Sequence, residues 1–115
     1  MDRDKLLLLR PDFRDPAYPG QRFYCWHCAL MEGVLASFPE LTKRLDVERV
    51  AWERPREAVL RWVGPENQSL PLLVLADDAK AELATGSYGP RRFVAGKDAI
   101  LSVLSRRHGI PDPHP

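Results

Sequence analysis

Cysteine is nearly missing from this chain, which has only two among its 115 residues. Two thiols exclude the multi-bridge framework that holds small secreted domains together. No stretch approaches the roughly 20 apolar residues that cross a bilayer. The apolar run Leu6–Leu9 is too short, and too closely preceded by acids, for a secretory leader. A cytoplasmic location is the expectation, and there thiols stay reduced unless they cycle. Neither sign of charge dominates. With 17 Lys+Arg against 16 Asp+Glu, the formal net charge is +1, so no bulk field draws the protein to nucleic acid or to a membrane surface. The arginines are scattered among acids and read as solvated surface. Internal repeats and low-complexity tracts are absent as well.

What remains is an ordinary soluble composition, 44% hydrophobic and 29% charged, in a chain sized for one domain over residues 1–115. A domain of this size buries roughly two-thirds of its unfolded surface, enough for a core without staples. Lys5–Leu9 is apolar on both faces and stopped by Pro11, as a buried strand is. The segment 10–22 carries Pro11, Pro16, Pro19 and Gly20 and reads as a long irregular loop beside a site. From Cys25 to Phe38, apolar residues Cys28, Met31, Leu35 and Phe38 follow helical spacing. Gly33 inside that helix costs about 1 kcal/mol of propensity, which close packing would explain. Glu40–Leu45 reads as a short turn or helix and Val47–Trp52 as a second strand. Pro55 is expected as the first residue of a helix that ends at Gly64 and Pro65. Leu72–Ala76 is the clearest buried strand, with Ala81–Ala84 expected to return antiparallel and 85–90 as a Gly-rich loop. Asp98 is expected to cap a final helix over Ala99–His108, stopped by Gly109, with 109–115 as a tail. Trp52 and Trp62 are expected in the core.

Both cysteines fall in Phe23-Tyr24-Cys25-Trp26-His27-Cys28, where an extended segment turns into a helix. A dithiol at this spacing closes a small disulfide ring or shares a metal ion. At a helix start, the first sulfur meets unpaired amide N–H groups and the positive end of the helix dipole, which favour its thiolate. Cys25 lies on the solvent side of that start, whereas Cys28 begins the apolar stripe. Structural zinc wants four ligands, and beyond one Cys pair only His108 and His114 stand near the C-terminus, not at finger spacing. The metal reading is therefore the weaker one, and no metal ligand is assigned.

The order strand, helix, strand, helix, strand, strand, helix, with Cys-x-x-Cys opening the first helix and Leu70-Pro71 leading into the third strand, resembles the thioredoxin-like superfamily over about Lys5 to His108. The spacing is similar to glutaredoxins and the N-terminal domains of glutathione transferases, with an enlarged first loop. At finer grain, Phe23-Tyr24-Cys25-Trp26-His27-Cys28, Glu32-Gly33 and Asn67-Gln68-Ser69-Leu70-Pro71 resemble a bacterial family catalogued as domain of unknown function 3088, which supplies no activity.

The superfamily resemblance implies an α/β fold with a central four-stranded mixed sheet flanked by helices and a cis-proline, Pro71, before the third strand. It implies that Cys25 attacks a disulfide and Cys28 resolves the mixed disulfide, with Trp26 and His27 tuning the redox potential. His27 beside the second cysteine is similar to strongly oxidising members; the proline common at the Trp26 position is absent. Leu70 and Pro71 would receive an extended substrate, and Tyr24 and Trp26 would flank it. Gly96-Lys97-Asp98 resembles the turn by which glutaredoxins hold the γ-glutamyl carboxylate of glutathione, although its second glycine is replaced. Arg22, Arg54 and Arg56 are further candidates for anion contacts. The activity implied is thiol–disulfide exchange with a disulfide-containing protein or glutathione. No cofactor is required beyond glutathione as a candidate co-substrate. The rival reading is a non-catalytic interaction or redox-sensing module on the same fold.

Overall fold

A run of leucines that has no polar side to show must be covered from both sides, and Asp4–Leu9 is strand β1 with all six residues buried. Leu6, Leu7 and Leu8 are wholly inaccessible, each contributing about 1.5–3 kcal/mol through burial. The computed structural model describes residues 1–115. After β1 come helix α1 (Trp26–Ser37), the one-turn helix α2 (Leu41–Arg44), strand β2 (Leu45–Val50), helix α3 (Glu57–Val63), strand β3 (Leu72–Val74), strands β4 (Gly86–Tyr88) and β5 (Arg91–Ala95), and helix α4 (Lys97–His108).

The strands form one mixed sheet in the order β2-β1-β3-β5-β4. β1 and β2 run parallel, with Leu6 opposite Val47. β3 is antiparallel to β1, with Leu6 opposite Leu73, and β5 is antiparallel to β3. Neighbouring residues of a strand point to opposite faces. Lys5 lies under Trp62 of α3, while Asp4 bonds to Arg107 and His108 of α4. Helices α3 and α4 thus cover opposite faces, giving a compact α/β architecture whose buried residues form one contiguous cluster. No helix is long and apolar enough to cross a membrane.

Several expectations are corrected. The sheet has five strands rather than four. The Gly-rich segment read as a loop supplies β4, which pairs with β5 in a hairpin, Gly86 opposite Phe93. A Cβ on Gly86 would lie 2.5 Å from the Phe93 ring, so the missing side chain is what lets the two strands meet. Ala81–Ala84 is not a strand. Ala81–Leu83 is a 3-10 turn closed by bonds from Leu83 N–H to Lys80 and from Ala84 N–H to Ala81. β2 begins at Leu45, paired with Asp4, and Trp52 has left the strand to stack on Phe13 at 5.6 Å. Pro55 is not the first residue of α3. It precedes the cap residue Arg56, whose N–H is taken by Gln68 Oε1. Asp98 does not cap α4. Gly96 holds the cap position, and Asp98 sits inside the first turn, accepting from Lys97 Nζ at 2.9 Å. Gly109, left-handed at φ 78°, ends α4. Trp52 and Trp62 are half-buried at the rim of the core rather than inside it. The Leu70–Pro71 and Arg54–Pro55 peptide bonds are cis.

Candidate functional site

Cys25 is the N-cap of α1. Its backbone is extended (φ −80°, ψ 113°), and its sulfur accepts the Cys28 N–H at 3.2 Å. The first amides of a helix have no partner within it, and a sulfur in the cap position takes the place that a serine or aspartate oxygen commonly fills. The same sulfur faces the carbonyl of Leu70 at 3.9 Å, contact enough for its S–H to donate. Leu70 is half-buried and Pro71 buried at the head of β3. Two segments distant in sequence therefore meet at Cys25.

Cys28, one turn further, is 2% exposed. Its sulfur accepts the N–H of Leu9, the last residue of β1, at 3.4 Å. Burial pushes its thiol up to about 12, and the hydrogen bond with Cys25 adds to the rise; the Leu9 N–H works the other way. Both cysteines are free thiols. Cys25 is half-buried and Cys28 sealed, so one backbone turn carries an accessible sulfur and a protected one.

Around them, Tyr24 and Trp26 are each 64% exposed. Helix α4 starts beside Trp26, with Lys97 Nζ 5.9 Å from the centre of the indole. Gly96, Lys97 and Asp98 thus lie next to the dithiol segment, with Lys97 turned to Trp26 and Asp98. His27 hydrogen-bonds to neither sulfur; its ring stands edge-on to Trp26, 3.8 Å between centroids. Any influence of His27 on the sulfurs must act through space. His108 lies at the far end of β1, 2.7 Å from Asp4, and His114 is in the exposed tail. No group of three or more His, Cys, Asp or Glu side chains is placed to hold a metal ion.

The structure adds groups that sequence reasoning missed. The loop 10–22 is pinned by a bridge between Phe13 and Phe23, with Phe13 stacked on Trp52 and Tyr18 edge-on to Phe23. An open cavity of about 590 Å³ lies between this loop and the end of β2, lined by Arg10, Phe13, Arg14, Arg22 and Trp52 among others. A second depression shares Pro11, Asp12 and Arg22 with it and reaches Tyr24. The three prolines and the glycine of the loop signal irregularity, and only the spacing of its aromatics hints at this packing. Of the three arginines considered for anion contacts, Arg22 is exposed and paired with Asp12, Arg54 is exposed, and Arg56 is buried.

A protein-family model with the description "Protein of unknown function (DUF3088)" matches residues 3–112. No curated protein and no solved structure matches the chain.

Proposed function

The chain belongs to the family described as protein of unknown function (DUF3088), and from its own residues we propose that it is a thiol–disulfide oxidoreductase of thioredoxin-like build. The asymmetry of the two sulfurs carries this reading. An attacking thiol must be reachable and bathed in donors, and a resolving thiol is better kept from solvent. Cys25 caps a helix and is half-exposed, whereas Cys28 is 2% exposed and held at about 12.

In the proposed exchange, the Cys25 thiolate bonds to one sulfur of a substrate disulfide. The substrate S–S bond breaks, and its other sulfur leaves as a thiolate. Cys28 then gives its proton to that departing thiolate, bonds to the Cys25 sulfur and releases the second substrate sulfur. Two electrons have passed to the substrate, and the protein holds a Cys25–Cys28 disulfide. A thiol reductant, glutathione or a second dithiol protein, returns it to the dithiol. Once Cys25 is tied up in the mixed disulfide, it no longer adds to the high pKa of Cys28, which eases the second step.

The other residues take supporting roles. Leu70, at the head of β3, offers its backbone to an extended substrate by strand addition, and Pro71 shapes that edge. Tyr24 and Trp26 present exposed aromatic surface for docking a disulfide-containing protein. Trp26 and His27 set the potential. Gly96, Lys97 and Asp98, beside Trp26, are the place for the carboxylate of glutathione, with the α4 N-terminus behind it.

The experiment is direct. The purified dithiol should reduce a mixed-disulfide substrate in glutathione- or thioredoxin-linked turnover, and Cys25→Ser should abolish this. A dithiol that shows no exchange in either coupled assay would sink the reading and leave a non-catalytic module.

A further inference from the structure

We propose that Arg56 is a positioning residue for the dithiol: it braces the two segments that flank Cys25, and its buried, unpaired positive charge favours the Cys25 thiolate. The proposal rests on the exchange reading above, in which that thiolate is the reacting species.

Arg56 is only 6% exposed. Its Nε donates to the carbonyl of Trp52 at 2.9 Å, its Nη1 to the carbonyl of Gln68 at 2.6 Å, and its backbone N–H to Gln68 Oε1 at 3.2 Å. All of these acceptors are neutral. Every other strongly buried charge in the molecule has an ionic partner: Asp4 has Arg107, and Lys5 has Asp46 and Glu48. A guanidinium does not shed its proton to escape burial, and a buried cation whose hydrogen bonds all go to neutral acceptors is under-compensated. A negative charge forming nearby is therefore worth more to it than to an arginine in water.

The placement says which negative charge that is. Trp52 stacks on Phe13, and Phe13 is bridged to Phe23, two residues before Cys25. Gln68 lies two residues before Leu70, whose carbonyl faces the Cys25 sulfur. One side chain thus ties together the segments on either side of the attacking thiol. Burial lowers the pKa of Arg56, and the neighbouring Arg54 charge lowers it further; charge on Cys28, Cys25 and Glu53 raises it. The geometric link is short: the guanidinium holds the Gln68 carbonyl, two residues from the Leu70 carbonyl that meets the Cys25 sulfur. Ionising Cys25 releases a proton to solvent and requires no other reactant.

The test uses Cys28→Ser, which leaves Cys25 as the only thiol, with Arg56, Arg56→Met or Arg56→Lys. Alkylation of Cys25 at pH 7 should slow roughly tenfold in Arg56→Met, which removes the cation from beside the reacting sulfur. Arg56→Lys, which keeps the charge, should recover most of the rate. An unchanged rate in folded Arg56→Met, or a lysine variant no faster than the methionine one, overturns the proposal. Should Arg56→Met fail to fold, the Cys28→Ser protein with Arg56 intact decides. The Arg56 Nε–H resonance should move with the same midpoint as the ultraviolet absorbance of the Cys25 thiolate, and a resonance flat through that titration overturns the proposal. Wild-type turnover is measured separately. Absent turnover with intact coupling removes only the exchange reading, whereas normal turnover with no coupling removes only the role of Arg56.

Discussion

At the scale of single residues, the two thiols differ more in surroundings than in sequence. Burial holds the Cys28 thiol far above its ordinary range, so it stays protonated at pH 7, and Cys28 is sealed besides. Iodoacetamide at pH 7 should therefore label Cys25 well before Cys28, as read by peptide mass mapping after brief exposure. Equal or reversed labelling would withdraw the assignment of Cys25 as nucleophile. The spacing of the two cysteines made this site legible, because two thiols at a helix start have few structural purposes. Arg56 was legible only as one of three arginines considered for anion contacts, not as a buried one. The chain has many arginines scattered among acids, and nothing in the local pattern marks the one whose partners, Trp52 and Gln68, are carbonyl groups at the ends of other elements. Contacts of that kind are set by topology.

At the scale of elements, α1 contains a test of propensity against packing. Gly33 is exposed, and a Cβ built there meets nothing within 4 Å, so close packing does not account for the glycine. Gly33→Ala should stabilise the protein by about 0.5–1 kcal/mol, read as a higher urea midpoint at unchanged slope; a lower midpoint would show a constraint on Gly33 outside the fold. The legible elements were those with strong periodicity or continuous apolarity: β1, α1, β3 and α4. The hairpin of β4 and β5 was hidden because its pairing depends on an absent side chain. Gly86 makes room for the Phe93 ring, and a glycine between Thr85 and Ser87 looks like loop when read alone. The start of α4 was misplaced for a related reason. Asp98 has the chemistry of a cap, but the chain turns two residues earlier, at Gly96.

At the scale of the whole molecule, the two ends of the chain are locked together by one carboxylate. Asp4, at the head of β1, accepts from Ala76 N–H beyond β3 and from Arg107 of α4, each at 2.7 Å, and lies 2.7 Å from His108 Nε2. Burial alone would push its carboxyl up. The bonds from His108, Arg107 and Ala76 outweigh this and hold it at about 2, against an ordinary 3.8. Because the folded value is the lower one, the unfolded chain takes up the proton first. The resulting stabilisation, about 2 kcal/mol, is complete above the ordinary value and is lost as pH falls through about 2. Urea unfolding between pH 5 and pH 2 should show that decline in the wild type, and Asp4→Asn should flatten it while costing about 3–5 kcal/mol at pH 7. A variant as acid-sensitive as the parent would show that Asp4 is not the group responsible.

The Leu9 amide that ends β1 donates its hydrogen bond to a sulfur instead of to another strand. The protected thiol is therefore tied to the end of an interior strand of the sheet. Lengthening the Pro-rich loop above it would leave that anchorage alone, but a slip of one residue in the leucine strand would send its side chains to the opposite face and its amides to the opposite edge, and pull the two sulfurs out of step. The reactive pair is only as well aligned as the register of the sheet beneath it.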